Sequence, residues 1–168
     1  MITQLSFFLT MASALGCGLM AGVFFAFSTF IMSALARLPA AQGIAAMQSI
    51  NVVVLNSVFL TVFAGTAVLS IGAVVASVCT GWKPAVLWLI AGTVLYFFGN
   101  VVVTGACNVP QNDALACLDP ASAEAAKFWK EYLVNWRAWN HVRTVTALAA
   151  AAALTTGLWH ARMVATAQ

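Results

Sequence analysis

N-V-V-V-L-N-S-V-F-L-T-V-F-A-G-T-A-V-L-S-I-G-A-V-V-A-S-V-C, residues 51–79, carries no charged side chain. About 20 apolar residues suffice to cross a bilayer as a helix, so this run predicts a membrane span. Asn51 and Asn56 stand near its entrance. A buried amide in hydrocarbon needs a partner, which leaves both as candidates for helix-to-helix hydrogen bonds or ligand contact.

The surrounding chain has the same character. No charge occurs from residue 1 to 36 or from 38 to 82. The whole chain is 63% hydrophobic and 7% charged, against roughly 25% charged in ordinary soluble domains. A soluble fold could not cover its surface with so few charges, so the expected class is all-α: a single four-helix membrane domain over residues 1–168. The net charge of +3 is scattered rather than clustered, which argues against a nucleic-acid partner.

The first span lies within residues 5–35. Ser33–Ala36 resembles a signal-peptidase site, but the apolar run is too long and lacks a basic start. Ala14, Gly18 and Gly22 form a small-xxx-small row, expected to serve packing inside the bundle. Phe24, Phe25, Phe27 and Phe30 follow, as core filling or the wall of a flat pocket. Pro39 closes the span, and residues 40–50 read as a short surface helix. Thr80–Pro84 reads as a turn and residues 85–106 as the third span, with Tyr96 and Asn100 four apart on one face. A polar loop and an amphipathic stretch occupy 108–137. Pro110 is expected to break the third helix. Asp119 as N-cap and Pro120 at the first helical position predict a helix that runs on to Gly157, on the order of 60 Å long, with the fourth span at 138–159.

Four spans place both termini on one side of the membrane, expected to be the bacterial inner membrane. Arg37, Lys127, Lys130 and Arg137 lie on the other side, with Lys83 and Arg162 on the side of the termini. The positive-inside rule then puts the polar loop in the cytoplasm. A Cys107–Cys117 disulfide would instead favour an oxidising compartment, so the sequence leaves orientation open.

Most of the candidate chemistry lies in residues 129–144, W-K-E-Y-L-V-N-W-R-A-W-N-H-V-R-T, with three of the six Trp and one of the two His. At 100° per residue, Trp129, Tyr132, Trp136, Trp139, Asn140 and Arg143 share a stripe. An aromatic belt at the headgroups accounts for Trp129 and Tyr132 as readily as a binding role does. Trp136 and Trp139, beside Asn140, read as ligand-stacking residues. His141 lies about 100° away on a second face, so a pocket containing it needs another helix to close it. Arg143 is costly in a membrane unless paired, and Asp113 is its expected partner.

There is no Glu-x-x-His pair for a di-iron bundle site. His160 stands about 28 Å along a helix from His141, so the two cannot ligate one haem within a chain. A haem with one histidine ligand, or with ligands from two subunits, stays open.

N-V-P-x-N-D with A-L-A after it, from Asn108, and Y-x3-W-x2-W-N-H-x-R-T, from Tyr132 to Thr144, resemble the anthrone oxygenase-like membrane proteins. G-L-M-A-G-V-F-F-A-F-S in the first span and Q-G-I-A-A-M-Q-S-I-N before the second are similar too, so the resemblance covers nearly the whole chain. It implies a four-span bundle that oxidises a flat, lipophilic phenolic, anthrone- or hydroquinone-like, with O2. No cofactor is required, because the deprotonated substrate reduces O2 itself. On that reading His141 is the base, and Asn140 and Arg143 hold the developing oxyanion. Trp136 and Trp139 stack on the rings. Asn108, Asn112 and Asp113 close the mouth, and Asn56 contributes to binding. The competing reading is a non-catalytic haem- or quinone-binding subunit of a larger redox complex, or a homo-oligomer, docked through its aromatic stripe and small-residue row.

Overall fold

The computed structural model describes the backbone of residues 2–79 and 83–165 and the side chains of 4–79 and 85–161. All regular structure among these residues is helical. α1 (Ile2–Ala26) passes through a π-wound stretch (Phe27–Ile31) into α2 (Met32–Leu35). After α3 (Ala40–Val53) and α4 (Ser57–Cys79), α5 (Lys83–Tyr96) runs through two π-wound stretches (Phe97–Val102 and Thr104–Asn108) into α6 (Val109–Ala116). α7 (Ala123–Ala165) completes the chain. The turn expected around residues 80–82 and the side chains of Lys83 and Arg162 lie outside the described residues.

Four helices are long and apolar enough to cross a membrane: Gln4–Leu35, Ser57–Cys79, Ala85–Ala116 and Ala123–Ala161. In the bundle α1 packs on α4 and α7, and α5 packs on the same two, a ring in chain order. α7 is the spine. Ala125, Trp129, Tyr132, Trp136, Asn140, Arg143, Ala147, Ala150, Leu154, Gly157 and Ala161 are its buried stripe, spaced three and four apart as one face of an α-helix requires. Its composition shapes the bundle. Past Arg143 the stripe is mostly alanine and glycine, and there α5 comes very close. A Cβ on Gly92 would stand 2.8 Å from Leu154 Cγ and 3.1 Å from the Ala150 carbonyl. Before Asn140 the stripe is aromatic and the helices stand apart.

The wide end is a cap with its own core, in which Met32, Leu35, Ile44, Met47 and Leu115 surround Ala125, Trp129, Tyr132 and Trp136. α3 is therefore a packed element and not a surface helix. Gln48 on α3 donates to the carbonyls of Leu115 and Leu118 at 2.8 and 3.0 Å, tying α3 to the end of α6.

Several sequence expectations are corrected. The second span starts at Ser57, because Asn56 Oδ1 accepts the Phe59 N–H at 2.9 Å and caps α4, leaving Asn51 in α3. Pro110 does not end the third helix. It sits at the start of α6, directly after a π winding, whose wider turn leaves room for the proline ring. α7 starts three residues later than expected, with Ser122 Oγ accepting the Ala125 N–H at 3.0 Å, while Asp119 only closes a turn with Ala121. The helix also continues past Gly157. Gly18 and Gly22 face outward, where an added Cβ would meet nothing within 4 Å, so they do not pack inside the bundle. Tyr96 and Asn100 are both buried but do not bond to each other: Tyr96 donates to the Phe63 carbonyl and Asn100 to Thr146 Oγ1. All four cysteines are free, so Cys107 and Cys117 are not bridged.

Candidate functional site

α4 is the shortest of the four apolar helices. The other three continue into the cap, while the α3–α4 turn closes over the place where a longer α4 would stand. The space left there is a cavity of about 360 Å³, inside the range of roughly 300–1,000 Å³ for small-molecule sites. Its walls are largely apolar and aromatic: Phe24 and Phe27 from the first span, Val52, Val54, Leu55, Phe59 and Leu60 around the α3–α4 turn, Phe63, and Trp136. Its polar groups are Gln48, Asn51, Thr104, Asn108, Asn112, Asp113, Asn140 and Arg143.

Arg143 is the centre of this polar set. It is 6% exposed and has no carboxylate within ion-pair distance among the described residues. Its Nη2 donates to Asn140 Oδ1 at 2.6 Å and its Nη1 to Thr104 Oγ1 at 3.2 Å, while Nε is buried with no hydrogen-bond partner. The guanidinium lies 4.5 Å from the Phe24 ring centroid and 5.1 Å from that of Trp136. Each such cation–π contact contributes about 0.5–2 kcal/mol, whereas desolvating an ion costs several. The charge is thus held in place by neutral groups and rings and is left without an anion.

The holding groups form a network. Asn140 is completely buried. Its Nδ2 donates at 2.7 Å both to the Phe24 carbonyl and to Ser28 Oγ, which fixes Oδ1 toward Arg143. Ser28 in turn meets Thr144 Oγ1 at 3.1 Å. With its donors committed, Asn140 holds its Oδ1 toward Arg143, and it also lines the cavity. Asn112 Oδ1 accepts at 2.8 Å from both the Tyr132 hydroxyl and Trp136 Nε1, and this locks a stack in which Trp129, Tyr132 and Trp136 lie at interplanar angles of 19° and 20°. Three π windings, at Phe27–Ile31, Phe97–Val102 and Thr104–Asn108, lie on the two helices that face this network. Such windings recur at functional sites, where they displace side chains from regular helical positions.

The structure brings together Asn140, Arg143, Trp136, Asn108, Asn112 and Asp113, with Asp113 exposed at the mouth and unpaired with Arg143. It does not bring in His141, Trp139 or Asn56. His141 is exposed outside the cavity, about 100° around α7 from Asn140, and no helix closes over that face. Trp139 is 42% exposed beside Val142 and Val145, on the outer face of α7. It fits an interfacial anchor, whereas Trp129 and Tyr132, at 3% and 1% exposed, are core. Asn56 is spent on capping, since its Nδ2 also donates to the Val53 carbonyl at 3.0 Å. Sequence reasoning missed Thr104 and Ser28 as partners of the network. Their only signal was a hydroxyl within an apolar span, and Thr104 stands four residues before Asn108. Among the described residues no three His, Cys, Asp or Glu side chains gather into a metal-ligating group.

Fold and site together define a helical bundle of membrane-spanning length with a largely apolar cavity at its wide end, lined by a buried arginine that has no carboxylate partner among the described residues. The chain belongs to the anthrone oxygenase family, which matches residues 53–153. That match runs from α4 through most of α7 and so includes Thr104, Asn108, Asn112, Asp113, Trp136, Asn140 and Arg143. It excludes α1 and most of α3, which here supply Phe24, Ser28, Gln48 and Asn51. No curated protein and no solved structure matches the chain.

Proposed function

We propose that this protein is a membrane oxygenase that takes a flat, lipophilic phenolic, anthrone- or hydroquinone-like, into the cavity and oxidises it with O2 without a cofactor. The observation that carries this reading is the buried Arg143 guanidinium, which has no carboxylate partner and lines an aromatic-walled cavity. An anthrone has a methylene between two aromatic rings, conjugated with a carbonyl. Loss of one methylene proton moves charge onto that carbonyl oxygen, and Arg143 is poised to meet it as a preorganised donor in a site of low dielectric. The carbanion then gives its electrons to O2 and a C–O bond forms. Loss of the second methylene proton with cleavage of the O–O bond yields a second carbonyl and water, so one O2 is consumed per substrate.

Asp113 is the one carboxylate lining the cavity and is assigned as proton acceptor. Trp136, fixed by Asn112, offers the ring face on which the substrate stacks. No histidine or cysteine lines the cavity, which weighs against a haem held there. The competing reading, a haem- or quinone-binding subunit, draws on the outward-facing Gly18 and Gly22 as a docking row and predicts co-purification with a larger complex. With Cys107 and Cys117 unpaired, the charge distribution is the remaining guide to orientation. It supports a cytoplasmic cap with both termini on the opposite side of the inner membrane.

The test is O2 uptake by detergent-purified protein given an anthrone. We expect substrate-dependent uptake that His141→Ala leaves within about twofold and Asp113→Asn lowers by about 10²-fold or more. A colourless protein that consumes no O2 with anthrones or hydroquinones overturns the reading. Loss of uptake in His141→Ala alone returns the base to that residue.

A further inference from the structure

α3 and α6 both wall the cavity, α3 through Met47, Ile50 and Asn51, and α6 through Asn112 and Asp113. They are fastened differently. α6 is tied to α7 at two places. Asn112 Oδ1 accepts from Tyr132 and Trp136, and Asn108, directly before α6, donates to the Trp136 carbonyl at 3.2 Å. α3 is fixed in its first half by close packing of its backbone. A Cβ on Gly43 would stand 2.9 Å from the Leu35 carbonyl oxygen and 3.2 Å from Trp129 Cζ2, so only glycine lets the helix rest directly against both.

Further along, the side-chain hydrogen bonds that join α3 to the end of α6 come, among the described residues, from one atom. Gln48 Nε2 donates at 2.8 Å to the Leu115 carbonyl and at 3.0 Å to that of Leu118. One rotation of this side chain breaks both. The cavity-lining residues of α3 lie in the same half, and its outer side is bare. Val52, Val53, Leu55 and Val58 are all exposed, so no other element stands outside them. Asn56 bonds to both the Val53 carbonyl and the Phe59 N–H, which keeps the α3–α4 turn in one piece. Met47, the buried side chain that must slide when this half of α3 shifts, is unbranched and adaptable. A pivot, a free outer side and a single fastening are the parts of a hinged lid.

We propose that the second half of α3 is a lid on the cavity, pivoting at Gly43 and latched to α6 by Gln48. With the latch made, the wall runs unbroken from α3 to α6. With the latch broken, α3 swings outward and the cavity opens along the seam between the two helices. The device does not depend on what the cavity holds, so it stands or falls separately from the oxygenase reading.

The test is a pair of distances measured by double electron–electron resonance on the full-length protein in detergent, with Cys79, Cys107 and Cys117 replaced by serine. Spin labels at Ser49→Cys and Lys127→Cys span the lid and α7, and labels at Ala41→Cys and Lys127→Cys span the pivot; all three positions are exposed. With Gln48 in place, one distance is expected for each pair. Ser49 stands about 9 Å along the helix from Gly43, so a swing of about 30° moves it by about 5 Å. Gln48→Met, similar in length but without a donor, is expected to lengthen the first distance by about that much and to leave the second unchanged. Gln48→Lys, which restores a donor, is expected to return it. An unchanged first distance in folded Gln48→Met overturns the lid. Equal lengthening at both pairs means that α3 detaches as a whole and overturns the pivot. If Gln48→Met does not fold, Gln48→Glu, whose carboxylate faces two carbonyl oxygens, is read in its place. Failure of both variants to fold makes Gln48 a structural residue and overturns the latch.

Discussion

Replacing Arg143 with methionine is expected to lower turnover by about 10²–10³-fold, the usual loss when one preorganised donor to a developing oxyanion is removed. The melting temperature of the purified protein should stay within a few degrees of wild type. Both halves follow from the same geometry. The guanidinium is buried with two neutral hydrogen-bond acceptors, two aromatic rings and no carboxylate. Methionine removes the desolvated charge, which favours folding by several kcal/mol, and fills most of the same volume. It also leaves Asn140 Oδ1 without its donor, which costs about 1–3 kcal/mol and offsets much of that gain. A structural arginine behaves differently: its loss would lower stability and activity together. Thermal unfolding and O2 uptake on the same preparation separate the two, and a large fall in melting temperature would reassign Arg143 to structure.

Asn112→Leu is expected to have the largest effect on stability. One oxygen, Asn112 Oδ1, accepts from two donors, the Tyr132 hydroxyl and Trp136 Nε1. Both donor residues are buried, at 1% and 5% exposed. Leucine strands both, at about 1–3 kcal/mol each, so a loss of roughly 2–6 kcal/mol is expected. The indole of Trp136 then loses the contact that fixes its plane against the cavity, and ligand binding should weaken with it. Asn112→Asp keeps an acceptor in place and should recover most of the stability. Equal destabilisation by aspartate and leucine would mean that the amide nitrogen, not the shared oxygen, is what matters.

The membrane bundle was legible because charge is missing from long stretches, and no tertiary detail is needed to see that. The stripe on α7 was legible because its spacing is strictly three and four. Its edges were not. Trp139 and His141 adjoin Asn140 in sequence, and whether either is buried depends on how wide an arc the neighbouring helices cover. Here that arc ends between Trp136–Asn140 on one side and His141 on the other. Asn51 and Asn56 looked alike as amides at the start of an apolar run. Only the backbone shows that Asn56 caps a new helix while Asn51 still belongs to the previous one. The π windings, and the helix continuing through Pro110, have no sequence signature at all. The roles of Asn140 and Arg143 were half visible. Their proximity at i, i+3 was evident, but it took Phe24 and Ser28, from a span more than a hundred residues away, to show how Asn140 is fixed toward the arginine.

The brevity of α4 has a kinetic consequence. Val52, Leu55 and Leu60 line the cavity and yet are 73%, 66% and 42% exposed, so the wall at the α3–α4 turn is one apolar side chain thick. On the proposed reading the outside of this wall faces lipid, and a flat hydrocarbon-soluble molecule reaches it by lateral diffusion in the bilayer. The concentration the protein senses is then the mole fraction of substrate in the membrane. In vesicles, the apparent KM expressed per litre should rise in proportion to added lipid while kcat stays constant, as surface dilution requires. An apparent KM indifferent to lipid would instead mean delivery from the aqueous side, through the mouth beside Asp113.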